Sequence, residues 1–587
     1  MPDRRTGGGR RRGGPRRSAA DRASLLRPLL SLLPAETGSP RKVVLLADEG
    51  IRARVTDWTR EFADDDVVVL APEPAPEWDD AGVPGWNFRV ERRAHVSGQL
   101  RRIGAVDVVV DLLPADRLPQ GISGHLDLFL VVVRHLTRGG VFIHDRTTAP
   151  GQVDTSLAEW LDFLDRAEDP SRRQSLGRLE TEAARSVGAV AITRDLVAVT
   201  KRQTHYLMLD DVKATTLLAE REPSLSVEEV DSRPPGEFVS RTTVQHHGEH
   251  GGDGDTPTLI RHPALVTRHY RGQVGLSGRT LMFSGHTVLP DSFRWHLTER
   301  PTNPLLRNIV GGFARIDRGN LPGPTLEGDY YQLEAAYPSH YGHVMTEVVS
   351  RLWGWDEAKS RNPDLKVVFR PRPEKDPGVE RALFSAYGIP DDDVVAVSEP
   401  VWVDSVVSAS PMWHNAEPYF AHPDLTQTWE RLTEGLLRHA TAVETGPRLF
   451  VSRSDRFQHR QCRNAREVEQ HFAARGFSVV YPERHALADQ VAMFRDARVV
   501  AGFGGSAMFN IMHTRRLETL IVLNHTAYVA RNEHLFASLK GGDSHYFWSA
   551  ADLEQPEDDL SFDAMHSSWE FDFATLGDDL DRLLRGL

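Results

Sequence analysis

A series of short apolar runs that do not alternate with polar residues restricts the fold of this chain more than any other feature. They are KVVLL (42–46), DVVVLAP (66–72), DVVVDLL (107–113) and GVFIHD (140–145), then KVVFRP, RLFVSR, FSVVYP, ARVVAGFGG and ETLIVLN further on. A strand with one wet face alternates. A strand apolar at every position is buried on both faces, which happens when helices cover both sides of a parallel sheet. Amphipathic segments fill the gaps between the runs, so the expected fold class is α/β.

At 587 residues the chain exceeds what one hydrophobic core can serve. The expected division is a basic tail at 1–37, a Rossmann-like domain at 38–205, a linker at 206–278, and two βα-rich lobes at 279–440 and 441–587 facing a ligand cleft. The linker reading rests on Pro, Gly, His and charge, including HHGEHGGDGD at 246–255. His246, His247 and His250 could be written as a metal cluster, but flanking glycines give no rigid frame, so a flexible loop is expected.

The formal charge is -13, and arginines of the first twenty residues oppose it, so the remainder is more acidic still. Nucleic acid is excluded as the main partner. The tail, rich in Arg and Gly, is too poor in apolar residues to order itself, and contact between it and an anionic membrane surface stays open. Cys462 is the sole cysteine, which rules out an intrachain disulfide and suits a reducing, cytoplasmic setting. The longest apolar run, LDLFLVVV, is far shorter than the ~20 residues of a membrane helix. Oligomeric state is not legible.

In the N-terminal domain a helix is expected to stop at Gly139 and Gly140 and lead straight into the strand ending at Asp145. That order is architecturally similar to a methyltransferase-type Rossmann domain. The glycine turn that would hold S-adenosylmethionine is represented only by Gly50, and Asp48 and Asp111 read as strand-end residues.

Chemistry concentrates near the C-terminus. In ARVVAGFGGSAMFNIM a buried strand runs into a turn with Gly502, Gly504 and Gly505, and Ser506 is expected at the N-cap of a helix, a geometry that offers backbone N–H groups to a phosphate. Arg453, Arg460 and Arg463 supply guanidinium groups for a diphosphate. Carboxylate pairs of the kind that hold Mg²⁺ or Mn²⁺ should follow a strand. Asp64–Asp66 and 391–393 precede theirs, so no metal site is expected.

The run from VSRSDRFQHRQCRN to AGFGGSAMFN is similar, element by element, to the catalytic region of glycosyltransferase family 61, and HYGHVMTEVVSRLW (340–353) resembles that family's upstream histidine helix. The resemblance implies a GT-B-like two-lobed enzyme that moves a sugar from a nucleotide-sugar donor to an acceptor hydroxyl, as in cell-surface polysaccharide or glycan biosynthesis, without a further cofactor. His343 is then the general base and Glu347, one turn on, its orienting partner. Arg453, Arg460, Asn464, Gln490, Gly502, Gly504, Gly505, Ser506 and Asn510 are the expected donor contacts. Two positions depart from the family pattern: Phe503 stands where a His is common, and Ala465 where a Glu is common. Two rival readings remain, an S-adenosylmethionine-dependent methyltransferase and a non-catalytic nucleotide- or glycan-binding protein.

Overall fold

A computed structural model of the chain describes residues 29, 32, 39–48, 51–71, 92–148, 156–210, 214–248, 256–373, 375–441, 443, 445–454, 459–557 and 560–587. The tail apart from residues 29 and 32, Gly50, His250 and residues 455–458 therefore lie outside the described residues. The chain divides into two compact units.

The first unit comprises 1–208, 216–223 and 307–316. Its described residues form a six-stranded sheet in the order Asp66–Leu70, Lys42–Leu46, Val106–Asp111, Leu136–Asp145, Leu196–Lys201, Val187–Ile192. The first four are parallel and the last two join as antiparallel neighbours. The non-alternating runs do what their composition requires: Val43 and Leu45 enter a cluster with Trp58 and Phe62, while Val44 and Leu46 enter another with Phe129, Phe142 and Trp160. Each fully buried aliphatic side chain contributes roughly 1.5–3 kcal/mol, so burial on both faces fixes these runs as strands covered on both sides of the sheet.

The glycine pair does not end a helix. The helix His125–Val132 ends well before the glycine pair, and the strand already starts at Leu136, so Gly139 and Gly140 lie within it. Leu136 pairs with Val106, and a register shift follows before Val108 meets Val141. Gly139, at φ 87°, absorbs that irregularity.

The second unit comprises 209–215, 224–306 and 317–587. One sheet is parallel throughout, in the order Thr242–His247, Gly542–Ser549, Thr519–His525, Val499–Phe503, Arg448–Val451, Ser478–Val480. A mixed sheet runs through Leu281–Ser284, Leu265–Gly278, Val401–Ala409, Tyr330–Gln332, Lys366–Phe369 and Val394–Ala396, and Ser226–Arg233 also pairs with Leu265–Gly278. Val367 and Val407 of the mixed sheet share one buried cluster with Leu449, Val500 and Leu520 of the parallel sheet. The segments 279–440 and 441–587, expected as separate lobes, thus share a core.

The stretch 206–278 is not a loop-rich linker: it carries the helix Ala214–Arg221 and strands of three sheets. His246 and His247 lie in a strand, not a flexible loop. His247 stacks on Phe547 at 4.2 Å and His246 Nδ1 accepts a 3.0 Å bond from Trp548 Nε1. Pairing with Gly542–Ser549, some 300 residues away, overrides the local composition.

Candidate functional site

In the parallel sheet of the second unit the chain leaves Arg448–Val451 toward Ser478–Val480 on one side and returns to Val499–Phe503 on the other. Such a reversal opens a crevice at the carboxyl ends of Arg448–Val451 and Val499–Phe503, the usual ligand position in open α/β sheets. Arg453 follows one of those strands and the glycine turn follows the other.

Gly505 adopts φ 139°, and a Cβ there would lie 1.8 Å from Arg453 Nη2. Only glycine lets the guanidinium reach across the turn, where Nη2 donates to Gly504 O at 2.7 Å. Burial, reinforced by the neighbouring Arg460 charge, pulls the Arg453 pKa down to about 9. Arg460, itself at φ 58°, lies over the Tyr528 ring at 4.8 Å. Gly502 and Gly504 pack on Val451 and on the Asn524 amide.

The expected Ser506 cap is corrected. Gly505 occupies the N-cap, and Ser506–His513 is a 3-10 helix. The Gly505 N–H does not await an anion: it donates to Glu533 Oε1 at 2.5 Å. Glu533 is buried, which raises its carboxyl pKa, with Arg453 and Arg460 opposing. The turn already carries an internal carboxylate, contributed by the helix Asn532–Lys540.

The histidine helix meets this turn directly. A Cβ on Gly342 would approach Ser506 Cβ to 2.9 Å, so glycine there sets the close crossing. Tyr341 donates to Asn510 Oδ1 at 2.9 Å, and Asn510 Nδ2 donates to Gln490 Oε1 at 3.3 Å and Ala507 O at 3.1 Å. Gln490 in turn donates to His485 O at 3.1 Å. Asn510 and Gln490 thereby brace the helix against the turn. The segment is irregular: α at Tyr341–His343, π at Val344–Val348 and 3-10 at Val349–Gly354. Single π turns frequently occur at functional sites.

His343 Nδ1 lies 2.6 Å from Glu347 Oε1. Glu347 Oε1 also meets Arg294 Nε at 3.0 Å, and its Oε2 accepts from the Ala336 N–H at 2.7 Å. Burial works to raise the Glu347 carboxyl, but the Arg294 charge, the His343 contact and the amide bring it down to about 2. With Nδ1 directed at the carboxylate, Nε2 is the ring nitrogen turned away from Glu347. The His343 side chain is 19% exposed. Arg294 Nη2 continues to Asn415 Oδ1 at 3.2 Å, and Asn415 donates to Asn532 Oδ1 at 2.8 Å, next to Glu533.

Not every expected residue joins. Asn464 grips the Phe571 backbone, accepting from its N–H at 2.9 Å and donating to its carbonyl at 3.0 Å. It lines a depression of about 400 Å³ with Glu467 and 570–574, whereas Arg453, Arg460 and Phe503 line another of about 30 Å³. A water needs ~10–15 Å³, so the smaller space has room for water, and a whole diphosphate would have to open it. Phe503 packs edge-on against Phe450 at 5.3 Å and Trp569 at 6.0 Å. Arg463 instead pairs with Asp552 at 2.6 Å.

Several residues were not anticipated: Arg294, Tyr341, His525, Tyr528 and Glu533. His525 ends the strand Thr519–His525; it is buried and neither ring nitrogen has a hydrogen-bond partner among the described residues. Burial and the charges of Arg460 and Arg453 push its pKa down to about 4. Its strand-end position was a legible signal; Glu533 left none, because its contact is made 28 residues from Gly505.

Residues 341–521 match the family described as glycosyltransferase 61. No curated protein matches the chain. Among solved structures, methyltransferases resemble its N-terminal part. The MycE methyltransferase from the mycinamycin biosynthetic pathway has a TM-score of 0.24 at 15% identity, covering 32% of this chain and 49% of that one. An O-methyltransferase family protein from Burkholderia thailandensis scores 0.18 at 15% identity, over 32% and 58%. The antibiotic-resistance methyltransferase Kmr scores 0.18 at 14%, over 32% and 96%. The chain spans about half the length of the MycE structures. Likeness at this level adds nothing to the sheet order already described.

Proposed function

We propose that this chain, whose residues 341–521 carry a glycosyltransferase family 61 region, moves a sugar, a hexose or a pentose, from a nucleotide-sugar donor to an acceptor hydroxyl. Cell-surface polysaccharide or glycan assembly is the setting we favour, with a GT-B-like arrangement and a cytoplasmic location. The observation that carries the reading is the His343–Glu347 pair on a helix locked to the glycine turn through Gly342 and Tyr341, with Arg453 spanning that turn.

In this reading His343 Nε2 takes the acceptor proton as the acceptor oxygen bonds to the sugar's anomeric carbon. The bond from that carbon to the donor phosphate breaks, and its electron pair leaves on the diphosphate. A positioned base of this kind supplies typically ~10²–10⁴ in rate. Glu347 holds the imidazole in the useful tautomer, and Arg453 with Arg460 offsets the charge of the departing diphosphate. Ser506, Gly502 and Gly504 shape the turn; Asn510 and Gln490 support it; Asn464 acts through the Phe571 backbone. No metal takes part in the transfer.

A panel of nucleotide sugars and nucleoside diphosphates, read by calorimetry and by donor turnover, tests this. Turnover that His343→Ala abolishes in a folded chain supports it. No binding and no turnover across the panel would refute it. A second reading, a binder without catalysis, draws on Phe503 and on the Gly505 N–H already held by Glu533. Diphosphate binding without turnover would favour that one.

A further inference from the structure

The N-terminal unit brings together three side chains that the proposed transfer does not use. Asp111 ends the strand Val106–Asp111 and His144 is next to last in Leu136–Asp145, and the two are register partners on neighbouring parallel strands. His125 opens the helix His125–Val132. Asp111 Oδ2 lies 2.7 Å from His125 Nδ1 and 3.1 Å from His144 Nδ1, and the two rings stack with centroids 3.9 Å apart. The three donor atoms lie within 4.8 Å of one another, and all three residues are buried. The Leu113 N–H donates to Asp111 Oδ1 at 3.1 Å, which turns Oδ2 toward the imidazoles.

The two imidazole contacts differ in kind. His125 Nδ1 makes a hydrogen bond to the carboxylate. His144 Nδ1 lies close to the same oxygen but off the N–H direction, and makes no hydrogen bond among the described residues. A buried ring nitrogen left so has lost its water without gaining a partner. Lone pairs that converge without aligning as donor and acceptor are what a shared cation satisfies.

We propose that Asp111, His125 and His144 bind one divalent transition-metal ion of the Zn²⁺ type, through Asp111 Oδ2 and the two Nδ1 atoms. Two imidazoles and one carboxylate suit Zn²⁺, Co²⁺ or Fe²⁺, whereas Mg²⁺ and Ca²⁺ take oxygen ligands. An ion about 2.1 Å from each donor sets donors about 3.0–3.4 Å apart. The observed 2.7 and 3.1 Å therefore need to open by at most about 0.7 and 0.3 Å. Two ligands stand on adjacent strands, the most rigid frame the unit has, at the carboxyl ends where open sheets bind ligands. Three protein donors leave a coordination position for water or a small ligand, as in zinc sites that do chemistry.

The test uses the untagged full chain, stripped with chelator and titrated with Zn²⁺ by calorimetry and with Co²⁺ by visible absorption. The expected result is one tight equivalent, an X-ray absorption spectrum of the Zn²⁺ form containing two imidazoles, and loss of that equivalent in His125→Gln and His144→Gln. Removing a ligand should weaken binding by roughly a hundredfold or more. His247→Gln, which alters a histidine of the other unit paired with His545, should change nothing. Absence of a stoichiometric equivalent, binding untouched by both ligand variants, or an imidazole count below two in the wild-type chain would each overturn the proposal. The last readout stands even if the variants fail to fold.

Discussion

Glu347→Gln separates a catalytic pair from a merely structural one. The substitution keeps the volume and one acceptor oxygen but removes the charge facing Arg294 and His343. The native carboxyl sits at about 2 against an ordinary 4.5. At about 1.4 kcal/mol per unit, that difference corresponds to roughly 3 kcal/mol of native-state preference for the charged form. Because the folded pKa is the lower one, this stability is fully present above pH 4.5 and drains away as pH falls toward 2. The variant should lose about 3 kcal/mol in urea unfolding at neutral pH, and its stability between those limits should fall less steeply than the wild type's. The chemical effect is separate. A glutamine can donate its amide N–H to His343 Nδ1, which stabilises the tautomer with the proton on Nε2 and disables the base. The kcat for donor transfer should then drop by about 10²–10⁴ while donor binding by calorimetry stays near wild type. If stability falls as stated but kcat is unchanged, His343 does not act through Glu347, and the pair only anchors Arg294.

Gly505→Ala should be destabilised by about 2–4 kcal/mol, since φ 139° is strained for a side chain and the added methyl displaces Arg453; chemical denaturation measures it, and a loss under 1 kcal/mol would show that the turn can relax. Arg453→Ala should weaken nucleoside diphosphate binding by about 2–3 kcal/mol, roughly 30- to 150-fold, with the chain still folded by circular dichroism. EDTA should leave sugar transfer unchanged even while it strips the ion proposed for the N-terminal unit; activity lost to chelator and restored by Mn²⁺ would sink metal independence.

The α/β class was readable because apolar runs without alternation leave a strand no wet face, a local property of a few consecutive residues; Val43 to Leu46 show it by feeding two opposite clusters in turn. The glycine turn and the His343–Glu347 spacing were equally local: a helix brings residues four apart together. Sequence composition misled where a distant partner took over. Thr242–His247 has loop-like neighbours, yet completes a parallel sheet against Gly542–Ser549. The identity of the group on the Gly505 N–H had no local trace either, because Glu533 belongs to a helix whose position depends on the packing of the whole sheet. Nor does spacing reveal that Asp111 and His144 are register partners, since strand pairing spans any sequence distance. Backbone class and short-range pairs follow from neighbours along the chain, whereas the electrostatics of both sites depend on charges and donors that only folding brings within a few ångströms.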